Sequence, residues 1–176
     1  MKKMIETERL YLREMNSSDH EALGKIISDP VNMSFYEKPY DEKGVDRWIE
    51  WCMNSYREHG FGLWALCLKE NDEMIGDCGI SMQNIDGEIL PEIGFHIRYD
   101  MHNKGYGHEA VLAVRDWGVN NKDFPALYSY CTSDNVASYK TAESIGMHYL
   151  KEFETDGVMH RVSIIRKEDW SSRNGK

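Results

Sequence analysis

The 176-residue sequence lacks several features that would place it in a specialised class of protein. No two of its four cysteines are spaced Cys-x-x-Cys, so neither a zinc ribbon nor a thiol redox motif is indicated. It has four prolines, no internal repeat and no low-complexity stretch, which predicts one domain without a flexible linker. No segment approaches the roughly 20 apolar residues of a membrane span, and no apolar run follows Met1, so a cytoplasmic location is expected.

Basic residues are too few for a typical nucleic-acid-binding protein. The chain has 21 Lys and Arg against 30 Asp and Glu, which gives a formal net charge of −9. Proteins that bind the phosphate backbone normally carry a basic surface, so nucleic-acid partners are not expected. An acidic surface favours solubility in general, and it would also attract a cationic amine.

The hydrophobic pattern predicts a sheet covered by helices. Alternating or continuous apolar runs predict strands at 5–13, 61–69, 73–83, 88–98, 126–131, 147–155 and 158–166. Apolar residues at helical spacing predict helices near 18–29, 45–60, 104–120 and 136–145. Pro91 has no N–H to donate, so an interruption of strand pairing is expected there. The domain is expected to span 1–170 and a polar tail to span 171–176.

The stretch from Ile97 to Ala110 has a pattern that suits anion binding. A predicted strand enters a loop, and Gly105 and Gly107 lie where the next helix begins. The first turn of a helix has N–H groups without intrahelical partners and a positive partial charge, and glycine lets an anion approach them. The spacing matches neither the Rossmann G-x-G-x-x-G pattern nor a P-loop, and a tight turn without a ligand explains the two glycines equally well.

This stretch resembles motif A of the GNAT N-acetyltransferases, which is commonly written Q/R-x-x-G-x-G/A. The glycines match at Gly105 and Gly107, whereas His102 stands where the family usually has Gln or Arg. Further segments are similar, in the same order, to the branch of the family that includes ribosomal-protein N-terminal acetyltransferases. These segments are Thr7–Arg13, Pro91–Ile97, Asn135–Gly146 and Lys167–Trp170.

The resemblance implies a single GNAT-like domain of the α+β or mixed α/β class. Its central sheet would contain about seven mostly antiparallel strands, with the fourth and fifth splayed apart, and about four helices would flank it. It further implies direct transfer of an acetyl group from acetyl-CoA to a primary amine. No metal site is expected, because the evenly spaced His96, His102 and His108 fall on a strand, a loop and a helix.

The resemblance and the residue chemistry together give candidate site residues. Glu92 is the preferred general base and His96 its rival, while Ser138 or Tyr139 is the candidate acid for the leaving thiolate. An ordinary strand carboxylate, a structural histidine and a helix-capping serine are the alternative interpretations. The predicted cofactor-binding residues are Phe95, His96, Ile97, Arg98, His102, Asn103, Lys104, Gly105, Tyr106, Gly107, His108, Asn135 and Ser138.

Other functions and several details stay open from the sequence. A non-catalytic acyl-CoA-binding module with the same fold is the main alternative, motivated by His102, and an unrelated α/β nucleotide-binding protein is a third possibility. The acceptor is expected to be a small molecule or a peptide with an amine, and the protein a monomer or a homodimer. Four tryptophans are candidates for the acceptor groove, although helical spacing favours the core for the first and last of Trp48, Trp51, Trp64 and Trp117.

Overall fold

A computed structural model describes residues 2–174, which form an eight-stranded sheet with helices on both faces. The strands are β1 Lys3–Glu6, β2 Leu10–Arg13, β3 Leu63–Leu68, β4 Met74–Ile85, β5 Glu88–Ile97, β6 Ala126–Thr132, β7 His148–Thr155 and β8 Val158–Arg166. The helices are α1 His20–Ile27, α2 Glu42–His59, α3 Tyr106–Asn121, α4 Val136–Ser144 and α5 Lys167–Asn174, with short 3-10 helices at Ser17–Asp19 and Tyr99–Met101.

The strands lie in the order β1-β2-β3-β4-β5-β6-β8-β7. Within the described residues, β5 and β6 are parallel and every other neighbouring pair is antiparallel. The parallel pair has a single point of register, Glu92 opposite Tyr128. β5 and β6 correspond to the predicted fourth and fifth strands, so the mostly antiparallel sheet with a central splay is confirmed.

Strand β3 shows how the sequence builds a core on each face of the sheet. Leu63 and Cys67 pack with the apolar residues of α1 and α2 on one face. Trp64 and Leu66 pack on the other face with apolar residues of α3 and α4. Successive side chains of a strand point to opposite faces, so a strand that is covered on both sides must be apolar throughout. The uninterrupted LWALCL run of β3 therefore results from its central position.

The prediction of one strand over residues 5–13 is wrong, because the chain turns between Thr7 and Arg9. The Thr7 N–H donates to the Leu10 carbonyl at 2.9 Å, and the Thr7 hydroxyl accepts from the Leu10 N–H at 3.0 Å. These local bonds fold β1 back against β2 in antiparallel register. The sheet consequently has eight strands in the described residues instead of about seven.

The interruption expected at Pro91 is also wrong. The register of β4 and β5 is continuous from Ile85 opposite Glu88 to Gly76 opposite Ile97, with Pro91 opposite Met82. An antiparallel ladder alternates hydrogen-bonded and non-hydrogen-bonded pairs, so a residue without an N–H can be placed where no bond to that neighbour is needed.

A fifth helix, α5, was not predicted. Its Trp170 donates from the indole N–H to the Asp116 carboxylate of α3 at 3.2 Å, which anchors the helix to the domain. The boundary at residue 170 stays a prediction, and residues 175–176 of the predicted tail lie outside the described residues. No helix within residues 2–174 has both the length and the apolar character needed to cross a bilayer.

Gly79 provides a test of the close approach of β4 to the chain entering β3. A Cβ at residue 79 would lie 2.0 Å from the carbonyl oxygen of Gly62, so Gly79→Ala must push the two backbones apart. We expect it to lower the free energy of unfolding by roughly 2 kcal/mol or more, measured by chemical denaturation.

Gly24→Ala is the matched control for this substitution. Gly24 lies in α1, and a Cβ there meets nothing within 4 Å. Because alanine favours the helix over glycine, we expect a gain in stability of up to about 1 kcal/mol. A Gly79→Ala protein as stable as the Gly24→Ala protein would contradict the close approach.

Candidate active site

The divergence of β5 and β6 opens a cleft of about 670 Å³. One side of the cleft is formed by the loop before α3 and by the beginnings of α3 and α4. The opposite side is formed by the α1–α2 connection, between residues 32 and 40, and by Trp48 of α2. Residues of β4, β5 and β6 lie between these two sides. The cleft therefore extends from the predicted cofactor loop to Trp48, a candidate for the acceptor groove, and we call the part formed by residues 32–40 and Trp48 the acceptor side.

Helix α3 presents its N-terminus to the cleft. Gly105 is its N-cap residue, with a left-handed φ of 82°, and no side chain among the described residues caps the helix. Tyr106, Gly107 and His108 form the first turn and line the cleft. Their N–H groups have no intrahelical partner, and the helix dipole adds positive potential at the same place. This geometry suits an anion such as a diphosphate.

The loop before α3 is fixed to the first turn of the chain. Glu109 Oε1 accepts from the Thr7 hydroxyl at 2.6 Å and from the Arg9 N–H at 2.9 Å. Its other oxygen accepts from Arg9 Nε at 2.7 Å, and Arg9 also donates to the Lys104 carbonyl at 2.9 Å. The Arg9 guanidinium lies over the Tyr106 ring, 4.6 Å from its centre. These contacts hold the backbone on either side of Gly105 in place.

Glu92 lies on β5 where the two strands part. The residue is 7% exposed. Its Oε2 lies only 2.9 Å from the position that a Cβ at residue 94 would occupy, so Gly94 leaves room for the carboxyl group. Burial raises the pKa of Glu92 from its ordinary 4.5 to about 8, although a hydrogen bond from the Tyr130 backbone and the nearby His96 oppose part of this rise. A carboxyl group with this pKa gains and loses a proton near neutral pH, as a general base requires.

His96 is held by a buried hydrogen-bond network that the sequence did not indicate. Asp77 Oδ1 lies 2.8 Å from His96 Nδ1 and also accepts from the His96 backbone N–H at 3.0 Å. Trp48 Nε1 donates to Asp77 Oδ2 at 3.0 Å, and the Tyr36 hydroxyl is 2.7 Å from His96 Nε2. Burial alone would lower the pKa of His96, but the Asp77 carboxylate outweighs it and raises the pKa. Both ring nitrogens are therefore engaged.

Most of the predicted site residues meet in this cleft. Those that line it are Glu92, Phe95, His96, Ile97, His102, Asn103, Gly105, Tyr106, Gly107, His108, Asn135 and Ser138. Three do not line it. Arg98 forms ion pairs with Glu73 and Asp100, the ammonium of Lys104 lies 3.5 Å from the Met101 sulfur, and the Tyr139 ring lies under the Arg161 guanidinium.

His102 stabilises the loop at the position where the family usually has Gln or Arg. Its Nε2 lies 2.8 Å from the Ile97 carbonyl, so the side chain closes the loop that follows β5. His108 instead pairs with the Ser144 hydroxyl of α4 at 2.7 Å. These two histidines and His96 have no partner in common, and no group of metal-ligating side chains occurs within residues 2–174.

Several residues of the cleft were missed because no local pattern marks them. Tyr36 and Tyr40 come from the irregular α1–α2 connection, and Tyr130 comes from β6. Trp48 is a candidate for the acceptor groove for which helical spacing favours the core, and it both packs against the core and lines the cleft. A signal existed for Asp77, which is a lone charged residue inside the apolar run MIGDCGI of β4.

Comparison with known proteins gives the class of the molecule. A model of the acetyltransferase (GNAT) domain matches residues 9–148. The protein YkkB of Bacillus subtilis (strain 168) is 33% identical over 151 residues, which cover 85% of this chain and 88% of YkkB. The chain therefore belongs to the GNAT acetyltransferase family and is an acyltransferase. The interpretation as an unrelated nucleotide-binding protein is wrong.

Solved structures agree with this assignment. An acetyltransferase from Agrobacterium tumefaciens str. C58 superimposes with a TM-score of 0.80 at 25% identity, over 94% of this chain and 95% of that chain. The ribosomal L7/L12 alpha-N-protein acetyltransferase RimL, in complex with coenzyme A, has the same fold, with a TM-score of 0.74 at 13% identity. That match covers 94% of this chain and 98% of RimL.

The raised pKa of Glu92 predicts how stability depends on pH. The folded protein keeps the Glu92 proton up to about pH 8, whereas the unfolded chain loses it near pH 4.5. Stability contributed by this proton is complete below pH 4.5 and is lost as the pH rises to about 8. Glutamine does not ionise, so Glu92→Gln removes this pH dependence. The difference in melting temperature between the variant and the parent should therefore grow, in favour of the variant, from pH 4.5 to about pH 8.

The expected gain at the upper end is on the order of 4 kcal/mol, or roughly 10 °C, because each unit of pKa difference is equivalent to about 1.4 kcal/mol. Thermal melts from pH 4 to pH 9 measure it. A difference in melting temperature that stayed constant from pH 4 to pH 9 would show that Glu92 ionises at the same pH in the folded and unfolded chains.

Proposed function

We propose that this protein is an acetyl-CoA-dependent N-acetyltransferase that transfers the acetyl group directly to a primary amine. The observation that carries the proposal is the meeting of two features in one cleft. The uncapped N-terminus of α3 suits the diphosphate of the cofactor, and the buried carboxyl of Glu92 suits proton removal from the acceptor. We further propose a cytoplasmic location and expect a monomer or a homodimer.

The pantetheine arm of acetyl-CoA would lie between the diverging strands β5 and β6. Beyond Glu92, β5 has no described pairing with β6, so this edge is available to another extended chain. Phe95 and Ile97 lie on this part of the strand, and their side chains are 3.9 Å and 4.0 Å from the position of a Cβ on Gly107. The edge therefore leads from the start of α3 towards Glu92, which is the path that a pantetheine arm would follow.

The reaction requires two protons to leave the amine nitrogen. When bound, acetyl-CoA supplies a thioester, whose carbon–sulfur bond breaks as the carbon–nitrogen bond forms. Glu92 takes the ammonium proton and passes it to solvent, because a protonated amine is not a nucleophile. The second N–H proton ends on the departing sulfur. Ser138, which lines the cleft at the start of α4, is the proposed relay: its hydroxyl gives a proton to the sulfur and takes up the second N–H proton, while its backbone N–H donates to Asn135 Oδ1.

Glu92 is better placed than His96 to act as the base. Both nitrogens of His96 are engaged, one by Asp77 and the other by the Tyr36 hydroxyl. Glu92 has no Lys or Arg partner among the described residues, and its remaining hydrogen-bonding capacity faces the cleft. We therefore assign proton removal to Glu92 and assign to His96 the positioning of Tyr36.

Kinetics of Glu92→Gln test this assignment. We expect kcat/KM of the parent to rise with pH through an inflection near 8, because Glu92 must be ionised to accept a proton. The variant should lose this inflection and lose roughly 100-fold or more of its activity. Release of the coenzyme A thiol gives the rate, with an acceptor whose own pKa is near 10 so that the two ionisations are separated.

His96→Gln separates the two candidate bases. The charge of His96 lowers the pKa of Glu92, so its removal should move the inflection to higher pH without abolishing it. An inflection lost in His96→Gln and kept in Glu92→Gln would assign the base to His96. Tight acetyl-CoA binding by the parent without turnover on any amine would instead favour the non-catalytic module.

The contacts of Glu109 predict a separate effect on cofactor binding. Glu109→Ala leaves Thr7 and Arg9 without their carboxylate partner and frees the loop around Gly105. We expect the Kd for acetyl-CoA, measured by calorimetry, to rise roughly tenfold, equivalent to about 1.4 kcal/mol. The pH inflection assigned to Glu92 should not move.

Glu143→Ala is the control, because Glu143 forms a comparable pair with Arg161 at 2.7 Å on α4. It should leave the Kd unchanged. Equal effects of the two substitutions would mean that the contacts of Glu109 do not order the cofactor loop.

A further inference from the structure

The acceptor side of the cleft is built mainly from aromatic rings. We call Tyr36, Tyr40 and Trp48 the aromatic wall. The rings of Tyr40 and Trp48 meet edge to face with centres 5.4 Å apart, and Trp48 meets His96 in the same way at 5.5 Å. Tyr36 is tilted against His96 at 5.4 Å. An aromatic ring has a negative face, so a part of the cleft that is lined by several rings suits a cation.

The cleft has no Lys or Arg side chain among the described residues, although the chain has 21 of them, and its charged His96 is already paired with Asp77. Glu92 is buried on the same side, and the Asp77 carboxylate lies directly beneath His96. A carboxylate or phosphate on the acceptor would therefore be desolvated without a free cationic side chain to pair with it.

A buried acceptor atom on this side also lacks a partner. The side-chain oxygen of Asn32 is buried, and no donor within the described residues bonds to it. Asn32 lines the cleft beside the aromatic wall. Buried polar atoms nearly always have a hydrogen-bond partner, so this oxygen is able to accept from an N–H group of a bound ligand or from a water molecule.

We propose that the acceptor is a small organic cation, namely an amine with an aliphatic or aromatic body and no carboxylate or phosphate. This inference rests on the proposed acetyl transfer and specifies its substrate class. The reacting ammonium lies against Glu92, and the aromatic wall and the Asn32 oxygen hold the body and any second N–H group. A peptide acceptor fits less well, because its backbone N–H and C=O groups would lie against rings that cannot pair with them.

Two matched pairs of amines test the proposal at pH 7. Cadaverine and lysine share one body and differ by a carboxylate, as do tyramine and tyrosine. Binding of each compound is measured by calorimetry, and transfer is measured by thiol release from acetyl-CoA. We expect the amine without the carboxylate to bind at least tenfold more tightly and to react with at least tenfold higher kcat/KM in both pairs.

The outcomes separate this inference from the proposed function. Equal or tighter binding of lysine and tyrosine, or no binding of any of the four, would overturn the inference. Faster transfer to a trialanine amide than to cadaverine and tyramine would also overturn it, while leaving N-acetylation itself intact. Selective binding of the two amines without thiol release would support the binding class and count against the proposed transfer.

Tyr40→Leu tests the aromatic wall itself. Removing one ring should weaken cadaverine binding roughly 3- to 10-fold, because a cation–π contact is lost. Tyr149→Leu is the control, since Tyr149 is half exposed on β7 and lies outside the cleft. Equal affinity of both variants and the parent for cadaverine would show that the aromatic wall does not bind the amine.

Discussion

The short pairing between β5 and β6 is the constraint on which the site depends. Two parallel strands that stayed together would place continuous backbone hydrogen bonds where the cleft now lies. Here the register has one pair, Glu92 opposite Tyr128, and the strands then diverge towards α3 and α4. The gap exposes the edge of β5, brings the beginnings of α3 and α4 to one end of the cleft and leaves the Glu92 carboxyl buried where the strands part.

The burial of Glu92 that suits it to act as a base also lowers the stability of the fold when the carboxyl group is ionised. Burial disfavours the ionised form of a carboxyl group, and burial raises the pKa of Glu92 despite the nearby charge of His96. The same burial makes the group a stronger base than an exposed carboxylate once it is ionised. His96 differs from Glu92 because both of its ring nitrogens have partners, Asp77 and Tyr36, which hold the ring in place.

The parts of the site that could be predicted from the sequence are those formed by neighbouring residues. The turn at Gly105 and the helix that follows are set by local conformation, and Glu92 and His96 share a strand face by simple alternation. Asp77 and Tyr36 were missed as site residues because Asp77 meets His96 only through strand pairing, and Tyr36 meets it only through the position of the irregular α1–α2 connection. The turn at Thr7 escaped prediction for a similar reason, since Glu109 stabilises it from 102 residues away.

The most direct measurement of the central claim is the response of individual backbone amides to coenzyme A. Two-dimensional NMR of the nitrogen-15-labelled protein would follow each N–H during a titration. We expect the largest chemical-shift changes at the amides of Gly105, Tyr106, Gly107 and His108, followed by those of the β5 edge between Ile93 and Ile97. Saturable binding that left the amides of this glycine turn unchanged would contradict the central claim.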